Sequence, residues 1–156
     1  MQKIIWVFGS SASGKETFIT SLMKDEALQN LYGITNAQIA TCRATFDNLG
    51  DLRKLRESIN NEVKHLLEEN EVILIKWQYG DTLLKTPEKL QKKYPENEHI
   101  VIVLHVDHKE LVRRLRIKSW WHDIGKEDEF ITKELQLVSR SIKSLGADFI
   151  IKKQQW

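Results

Sequence analysis

The chain has 156 residues, of which 41% are hydrophobic and 29% charged, a composition typical of a globular protein with one core. Its net charge of +2 at pH 7 is too small to indicate DNA or membrane binding by itself, and no apolar run approaches the roughly 18 residues of a membrane span. One cysteine, Cys42, excludes an internal disulfide and favours a cytoplasmic location. Because no repeat or Pro/Gly-rich linker interrupts the chain, we expect a single domain over 1–156.

Short apolar runs alternate with helical periods along the chain. Apolar runs predict five strands, at 4–8, 38–42, 72–77, 100–106 and 149–151. Helices are predicted over 15 to about 29, 52 to about 70, 87 to about 93, from Asp107 onward with Glu110 completing a capping box, and over about 126–145. Strands that are apolar on both faces are typical of a parallel sheet covered by helices. The pattern therefore predicts an α/β fold with its active edge at the carboxyl ends of the strands.

The segment Gly-Ser-Ser-Ala-Ser-Gly-Lys-Glu-Thr lies between the first predicted strand and the first predicted helix. Its glycines allow a tight turn, its small residues let the backbone close around a phosphate, and the helix N-terminus attracts the anion. Lys15 is placed to reach the β- and γ-phosphates. The segment predicts a nucleoside triphosphate site, with ATP as the ligand, formed by Gly9, Ser10, Ser11, Ala12, Ser13, Gly14, Lys15, Glu16 and Thr17.

This phosphate loop departs from the usual motif at one position. The residue after the lysine usually carries a hydroxyl that binds Mg²⁺, but here it is Glu16, and Thr17 follows. A carboxylate beside the phosphates repels them unless it points away or meets the metal. We therefore assign the Mg²⁺-side hydroxyl to Thr17.

With this loop, the chain resembles the nucleoside and nucleotide kinase group of P-loop proteins, and within that group it most resembles guanylate kinases. Three further segments carry the resemblance: 72–78 resembles the third strand of the family, 110–118 the arginine-bearing helix that leads into the lid, and 146–151 the last strand beside the adenine site. The resemblance implies a three-layer fold with five parallel strands in the order 2-3-1-4-5, helices on both faces and a lid at about 113–126.

The chain also departs from the guanylate kinase pattern. Two positions of the third strand that are acidic in the family are Leu74 and Lys76, and the lobe that grips guanine is absent. The arginine expected after the lid is replaced by Glu134, with Arg140 as an alternative further along the same helix. Guanylate specificity therefore does not follow from the resemblance.

Basic residues on the lid helix are candidates for charge neutralisation, which is most of what an enzyme contributes to phosphoryl transfer. Helical spacing puts Arg113 and Arg116 near one face, with Arg114 and Lys118 on an adjoining face. The resemblance makes Arg113 and Arg116 catalytic candidates beside Lys15. The alternative is a solvated basic face.

Candidate acceptor residues follow the second and third strands. Arg43 is placed to hold an acceptor phosphate, and Asp47 to orient or deprotonate an acceptor hydroxyl. Gln78 leaves the third strand at the same edge, and Asp81 is the nearest acidic group there. We expect Arg43, Asp47 and Gln78 to bind the substrate, with Asp47 also catalytic; a surface turn with a local ion pair is the alternative for Arg43 and Asp47.

Two adjacent tryptophans, Trp120 and Trp121, lie in the expected lid. Their rings point in different directions, so at most one stacks on a base, and packing that pins the lid to the core is the favoured interpretation.

The sequence favours an ATP- and Mg²⁺-dependent kinase that transfers the γ-phosphate to a small acceptor, most simply a nucleotide or nucleoside. One alternative is a nucleotide-binding module with weak or no catalysis, which Glu16, Leu74 and Lys76 motivate. Another is a polynucleotide 5′-kinase, which the tryptophans and basic segments motivate. The expected partners are a nucleoside triphosphate and a small-molecule acceptor; nucleic acid is less favoured, and no membrane is expected.

Overall fold

One parallel sheet runs through the part of the chain that the computed structural model describes, which is residues 2–42, 52–77 and 86–152. Its strands are β1 (Lys3–Phe8), β2 (Ile39–Cys42), β3 (Val72–Trp77), β4 (Glu98–His105) and β5 (Phe149–Lys152). All neighbouring strands pair in parallel, in the order β2-β3-β1-β4-β5. The predicted fold class and strand order are confirmed.

Helices connect these strands and cover both faces of the sheet. They are α1 (Lys15–Lys24), α2 (Glu26–Leu31), α3 (Leu52–Leu66), α4 (Thr86–Lys93), α5 (His108–Arg116) and α6 (Glu127–Leu145). Gly146 ends α6 with a positive φ of 86°, and its N–H donates to the Ile142 carbonyl at 2.7 Å. Such a stop is typical of glycine after a helix.

The single helix predicted over 15 to about 29 is two helices. Asp25 adopts an extended backbone, with φ −92° and ψ 108°, which interrupts the helical hydrogen bonds. Its carboxylate accepts a hydrogen bond from the Leu28 N–H at 3.2 Å, so it caps the second helix. An aspartate is among the favoured residues at such a position, and this local bond competes with continued helix.

The predicted capping box at the start of α5 is wrong. Asp107 is the N-cap residue, but its side chain makes no capping hydrogen bond. Glu110, the proposed partner in the box, binds Arg113 and Arg114 instead. A charge-assisted bond to a guanidinium is stronger than a bond to a neutral amide, which accounts for the preference.

The core has two layers because β1 is buried on both faces. Trp6 and Phe8 pack with residues of β3, α3, α4 and α6, whereas Ile5 and Val7 pack with α1 on the opposite face. A third cluster joins α5 to α6, through Val106, Leu111, Val112, Leu115 and Ile131. Among the residues described, no helix combines the length and apolar character needed to cross a membrane.

Because β1, β3 and β4 are parallel, their carboxyl ends meet at one edge of the sheet, beside the start of α1.

Packing of α1 on the sheet is expected to carry much of the stability of the molecule. Leu22 is fully buried in that layer, so Leu22→Ala leaves a cavity and should lower the free energy of unfolding by about 2–5 kcal/mol. Leu31→Ala is the matched control, because the Leu31 side chain is 66% exposed and its truncation should change stability by no more than about 0.5 kcal/mol. Urea unfolding measures both; equal effects would contradict this assignment of the core.

Candidate nucleotide-binding site

The phosphate loop connects the carboxyl end of β1 to the first turn of α1. A Cβ atom at Gly9 would overlap the Ser13 hydroxyl, which would have to move, and Gly14 has a φ of 93°, which favours glycine. The Ser13 N–H donates to the Ser10 carbonyl at 3.2 Å and closes the turn. The conformation expected from the sequence motif, a tight turn opening onto a helix N-terminus, is present.

Lys15 is the buried cation of this loop, with only 7% of the residue exposed. Its Nζ donates to the carbonyls of Gly9 at 3.0 Å and Ser10 at 2.7 Å. Burial lowers the pKa of the Lys15 ammonium from its usual value to about 7, and the Glu134 carboxylate opposes this fall. The ammonium is therefore held where a bound phosphate would favour its charged form.

Glu134 reaches the loop from the middle of α6, although only 4% of the residue is exposed. The Ser11 N–H donates to its Oε2 at 2.8 Å, and the Ser11 hydroxyl donates to its Oε1 at 2.6 Å. The Glu134 carboxylate thus already accepts a hydrogen bond from one of the backbone N–H groups of the loop that could otherwise bind a phosphate. The sequence signal for this role is its place in a buried stripe of α6, between Ile131 and Val138, where a charged residue requires a partner.

Arg114 is the arginine of α5 that contacts the phosphate loop. Its side chain is 12% exposed, its Nη1 donates to the Ala12 carbonyl at 3.2 Å, and its Nε donates to Glu110 at 3.1 Å. Lys118, which spacing placed on the same face as Arg114, lines the cavity beside the loop. Charge from α5 therefore reaches the loop through the Arg114 face of the helix.

The two lid arginines proposed as catalytic, Arg113 and Arg116, have carboxylate partners in the structure. Arg113 Nε donates to Glu110 at 2.9 Å and lowers the pKa of that carboxyl to about 2. Arg116 Nε donates to the buried Glu127 at 2.9 Å and lowers the pKa of that carboxyl. Both guanidinium side chains are more than half exposed, so their catalytic role stays a prediction.

Two further residues expected near the phosphates form an ion pair. Lys76 Nζ lies 2.7 Å from Glu16 Oε1, and this contact lowers the pKa of Glu16. Lys76 alternates with Val72 and Leu74, which face α1, so its side chain points to the first turn of that helix. The acidic position lost from β3 and the hydroxyl position lost from the loop therefore hold complementary charges.

A cavity of about 300 Å³ opens at the loop. Besides loop residues that include Thr17, its walls are Lys76, Lys118 and Trp120. Trp120 is half exposed, whereas the ring of Trp121 packs against Phe130 with centroids 4.9 Å apart. One tryptophan of the pair thus joins the core and the other faces the cavity.

Several predicted residues fall outside the described ranges. Arg43, Asp47, Gln78 and Asp81 belong to 43–51 and 78–85, so the acceptor site stays a prediction. Arg140, considered as a substitute for the missing arginine, is exposed on α6.

Among the described side chains around Thr17, the possible ligands of Mg²⁺ are one hydroxyl and one carboxylate. This ion keeps several waters and binds substrate phosphates together with one or two protein oxygens, which here are the Thr17 hydroxyl and the carboxylate of Glu16, whose Oε1 accepts from Lys76. Within 2–42, 52–77 and 86–152, no three His, Cys, Asp or Glu side chains come together as a metal site. On β3, the ammonium group of Lys76 takes the position at which the resemblance implied an acidic residue.

The strand order and the loop after β1 together define the P-loop kinase fold. The shikimate kinase of Acinetobacter baumannii, solved with shikimate, superposes with a TM-score of 0.62 at 16% identity over 100% of this chain and 86% of that chain. A sugar kinase from Janibacter gives 0.63 at 12% identity, with 97% and 86% of the two chains covered. The YorR protein of Bacillus subtilis, in complex with phosphorylated GDP, gives 0.60 at 18% identity over 98% of this chain and 87% of its own.

By sequence, no protein-family model and no curated protein matches the chain. Identities between 12% and 18% establish a shared fold. The likeness is to P-loop kinases in general, and the nearer resemblance to guanylate kinases stays a prediction.

Binding of ATP should take up a proton through Lys15. At about pH 8 this amine is largely neutral in the free protein, and a bound phosphate raises its pKa, so we expect uptake of about one proton and weaker binding as the pH rises above about 7. Calorimetry in buffers of different ionisation enthalpy measures the uptake. Lys15→Met should abolish it and the exposed control Lys24→Met should retain it; identical heats in all buffers would refute the prediction.

Glu134→Gln should tighten ATP binding about tenfold, equivalent to ~1.4 kcal/mol, because it removes a negative charge from the loop and nearly preserves the side-chain shape. Titration at about pH 6 favours the charged form of Lys15. Glu129→Gln is the control, since it removes one charge from an exposed position of the same helix. Unchanged or weaker binding by Glu134→Gln would assign this carboxylate a purely structural role.

Proposed function

We propose that the protein is a kinase that transfers the γ-phosphate of ATP to a small acceptor, most simply a nucleotide or nucleoside. The observation that carries the proposal is the phosphate loop, in which a lysine ammonium is buried at the end of the central strand. Burying a charged group is unfavourable unless another group compensates it. A polyphosphate in the adjoining cavity would supply that compensation in the course of function.

Each proposed role follows from position relative to the loop. Lys15 would bind the β- and γ-phosphates, and Arg114, which already contacts the Ala12 carbonyl, would neutralise charge on the transferred group. In the reaction an acceptor oxygen forms a bond to the γ-phosphorus, the bond from that phosphorus to the bridging oxygen breaks, and ADP leaves. Arg113 and Arg116 would join the site if the lid closes and frees them from their carboxylates.

The acceptor side of the proposal rests on residues outside the described ranges. Arg43 and Gln78 would bind the acceptor, and Asp47 would take the proton from its hydroxyl. Among the structures with this fold, one is a shikimate kinase bound to shikimate, one is a sugar kinase, and one binds phosphorylated GDP. These neighbours support an acceptor that is a small hydroxyl compound or a nucleotide.

The proposal also includes the wider expectations from the sequence. Residues 1–156 would form one domain in which 113–126 act as the lid, and the cytoplasmic location stays a prediction. ATP is the proposed donor. Mg²⁺ as a cofactor of the transfer step, with the Thr17 hydroxyl beside it, stays a prediction from the sequence.

A second candidate function is nucleotide binding without turnover. The specific observation in its favour is Glu134, whose carboxylate takes the Ser11 N–H of the loop. A negative charge at this point opposes the development of charge on a transferred phosphoryl group. This candidate predicts ATP binding that persists while no acceptor is phosphorylated.

A panel of nucleotides, nucleosides, sugars, shikimate and a 5′-hydroxyl oligonucleotide, incubated with γ-labelled ATP, tests the kinase. We expect label transfer to one acceptor class, and a loss of at least about a hundredfold in Lys15→Met, because one charge-assisted contact contributes ~1.5–3 kcal/mol and the proposal gives Lys15 contacts to both the β- and the γ-phosphate. Lys133→Met, at an exposed position of α6, should keep full activity. Folded protein that binds ATP and labels nothing would favour the binding module, and transfer to the oligonucleotide alone would favour the polynucleotide kinase.

A further inference from the structure

Positive charge is concentrated in the cavity at the phosphate loop. The ammonium groups of Lys15, Lys76 and Lys118 belong to its lining, with Glu16 as the acidic member. Lys76 and Lys118 alone match the charges of Glu16 and of Glu134, which binds Ser11, and protonated Lys15 leaves an excess of positive charge in a space of about 300 Å³. Such a cavity favours a polyanion over a neutral ligand or a cation.

Lys76 is distinct from the other two lysines because it enters from the sheet. It stands on β3, paired in register with Val7 of the central strand, and it points to the first turn of α1. Its side chain lines the cavity together with residues of the loop. The loop therefore has an ammonium on the β3 side in addition to the buried Lys15.

The partner of Lys76 can be displaced at little cost. The Glu16 side chain is 81% exposed, and the Lys76 side chain is 32% exposed. An ion pair this exposed contributes little to stability. A polyphosphate that carries several charged oxygens can therefore replace Glu16 on Lys76, while Glu16 turns toward water.

The described residues beside Lys76 offer few ligands for a metal ion. Mg²⁺ requires oxygen ligands at close range, which an ammonium cannot supply, and a cation placed near Lys76 would be repelled by it. Among the described residues, Lys76 thus places a positive charge at the β3 position where a carboxylate would attract the ion.

We propose that Lys76 supplies to a bound triphosphate the positive charge that a divalent metal would otherwise supply, so that this protein binds metal-free nucleoside triphosphate. The inference rests on the proposed function, because it concerns the same phosphate loop. It names the ligand class, a triphosphate without its metal, and it concerns binding, with no claim about the transfer step.

Titration calorimetry of the full chain with ATP, in EDTA and in excess MgCl₂ at matched ionic strength, tests the inference. The wild-type dissociation constants should agree within about threefold. Lys76→Met should weaken binding in EDTA by about tenfold or more, because one charge-assisted contact to phosphate is lost, and by less than about threefold in MgCl₂. Lys76→Gln is a second polar variant with the same expectation.

Lys118→Met is the matched control, since Lys118 lines the same cavity from the lid. It should weaken binding by similar factors in both buffers. The double variant Glu16→Ser with Lys76→Asp should bind ATP at least about tenfold more tightly in MgCl₂ than in EDTA, because it restores a hydroxyl and a carboxylate for the ion.

Wild-type binding that weakens more than about tenfold in EDTA would overturn the inference, as would equal losses for Lys76→Met in the two buffers. Either result leaves the proposed kinase standing as a metal-dependent enzyme. Absence of ATP binding in both buffers, by folded protein, would instead contradict the proposed function itself.

Discussion

A lysine ammonium buried at the end of the central strand is the constraint on which the rest of the site depends. β1 is covered on both faces, so the turn after Phe8 opens beneath helices, and Lys15 at the start of α1 has almost no contact with water. Carbonyl oxygens of the loop accept its hydrogen bonds, and Glu134 supplies opposite charge from α6. The helix that follows the lid is thereby tied to the loop. Any ligand of the loop has to replace or complement these contacts.

Three charged residues that look like separate departures in the sequence lie around this one loop. Glu16 and Lys76 form an ion pair beside the cavity, and Glu134 binds Ser11 on another side. Glu16 stands where the motif has a hydroxyl residue, Lys76 where the family has an acidic residue, and Glu134 where the family has an arginine. Because electrostatic interactions act between neighbours in space, the three changes are interpretable only together. They describe a loop whose charge is rearranged within a preserved fold, which is why ligand binding and catalysis are separate questions for this protein.

The lid shows why helical spacing alone was insufficient to choose an arginine. Periodicity grouped Arg113 with Arg116 and Arg114 with Lys118, although Lys118 lies beyond the end of α5 at Arg116. Which pair faces the loop depends on how α5 packs on α6, through Val112 and Leu115 among others. Packing turns the Arg114 face to the loop, and Glu110 and Glu127 hold the other two guanidinium groups. The two tryptophans divide in the same way, since Trp121 meets Phe130 and Trp120 lines the cavity.

The sequence by itself determined the sheet, the phosphate loop and the helices except for the break at Asp25. These features depend on local patterns, namely buried apolar runs, helical periods and glycines at positions that require them, and the strand order came with the family resemblance. Only the tertiary structure decided that Lys76 meets Glu16, that Glu134 meets Ser11 and that Arg114 meets Ala12. The partners in these three contacts are 60, 102 and 123 positions apart in the chain, respectively for Lys76–Glu16, Arg114–Ala12 and Glu134–Ser11. No local pattern encodes such a pairing, because it arises when the sheet and its covering helices bring distant charges to one edge.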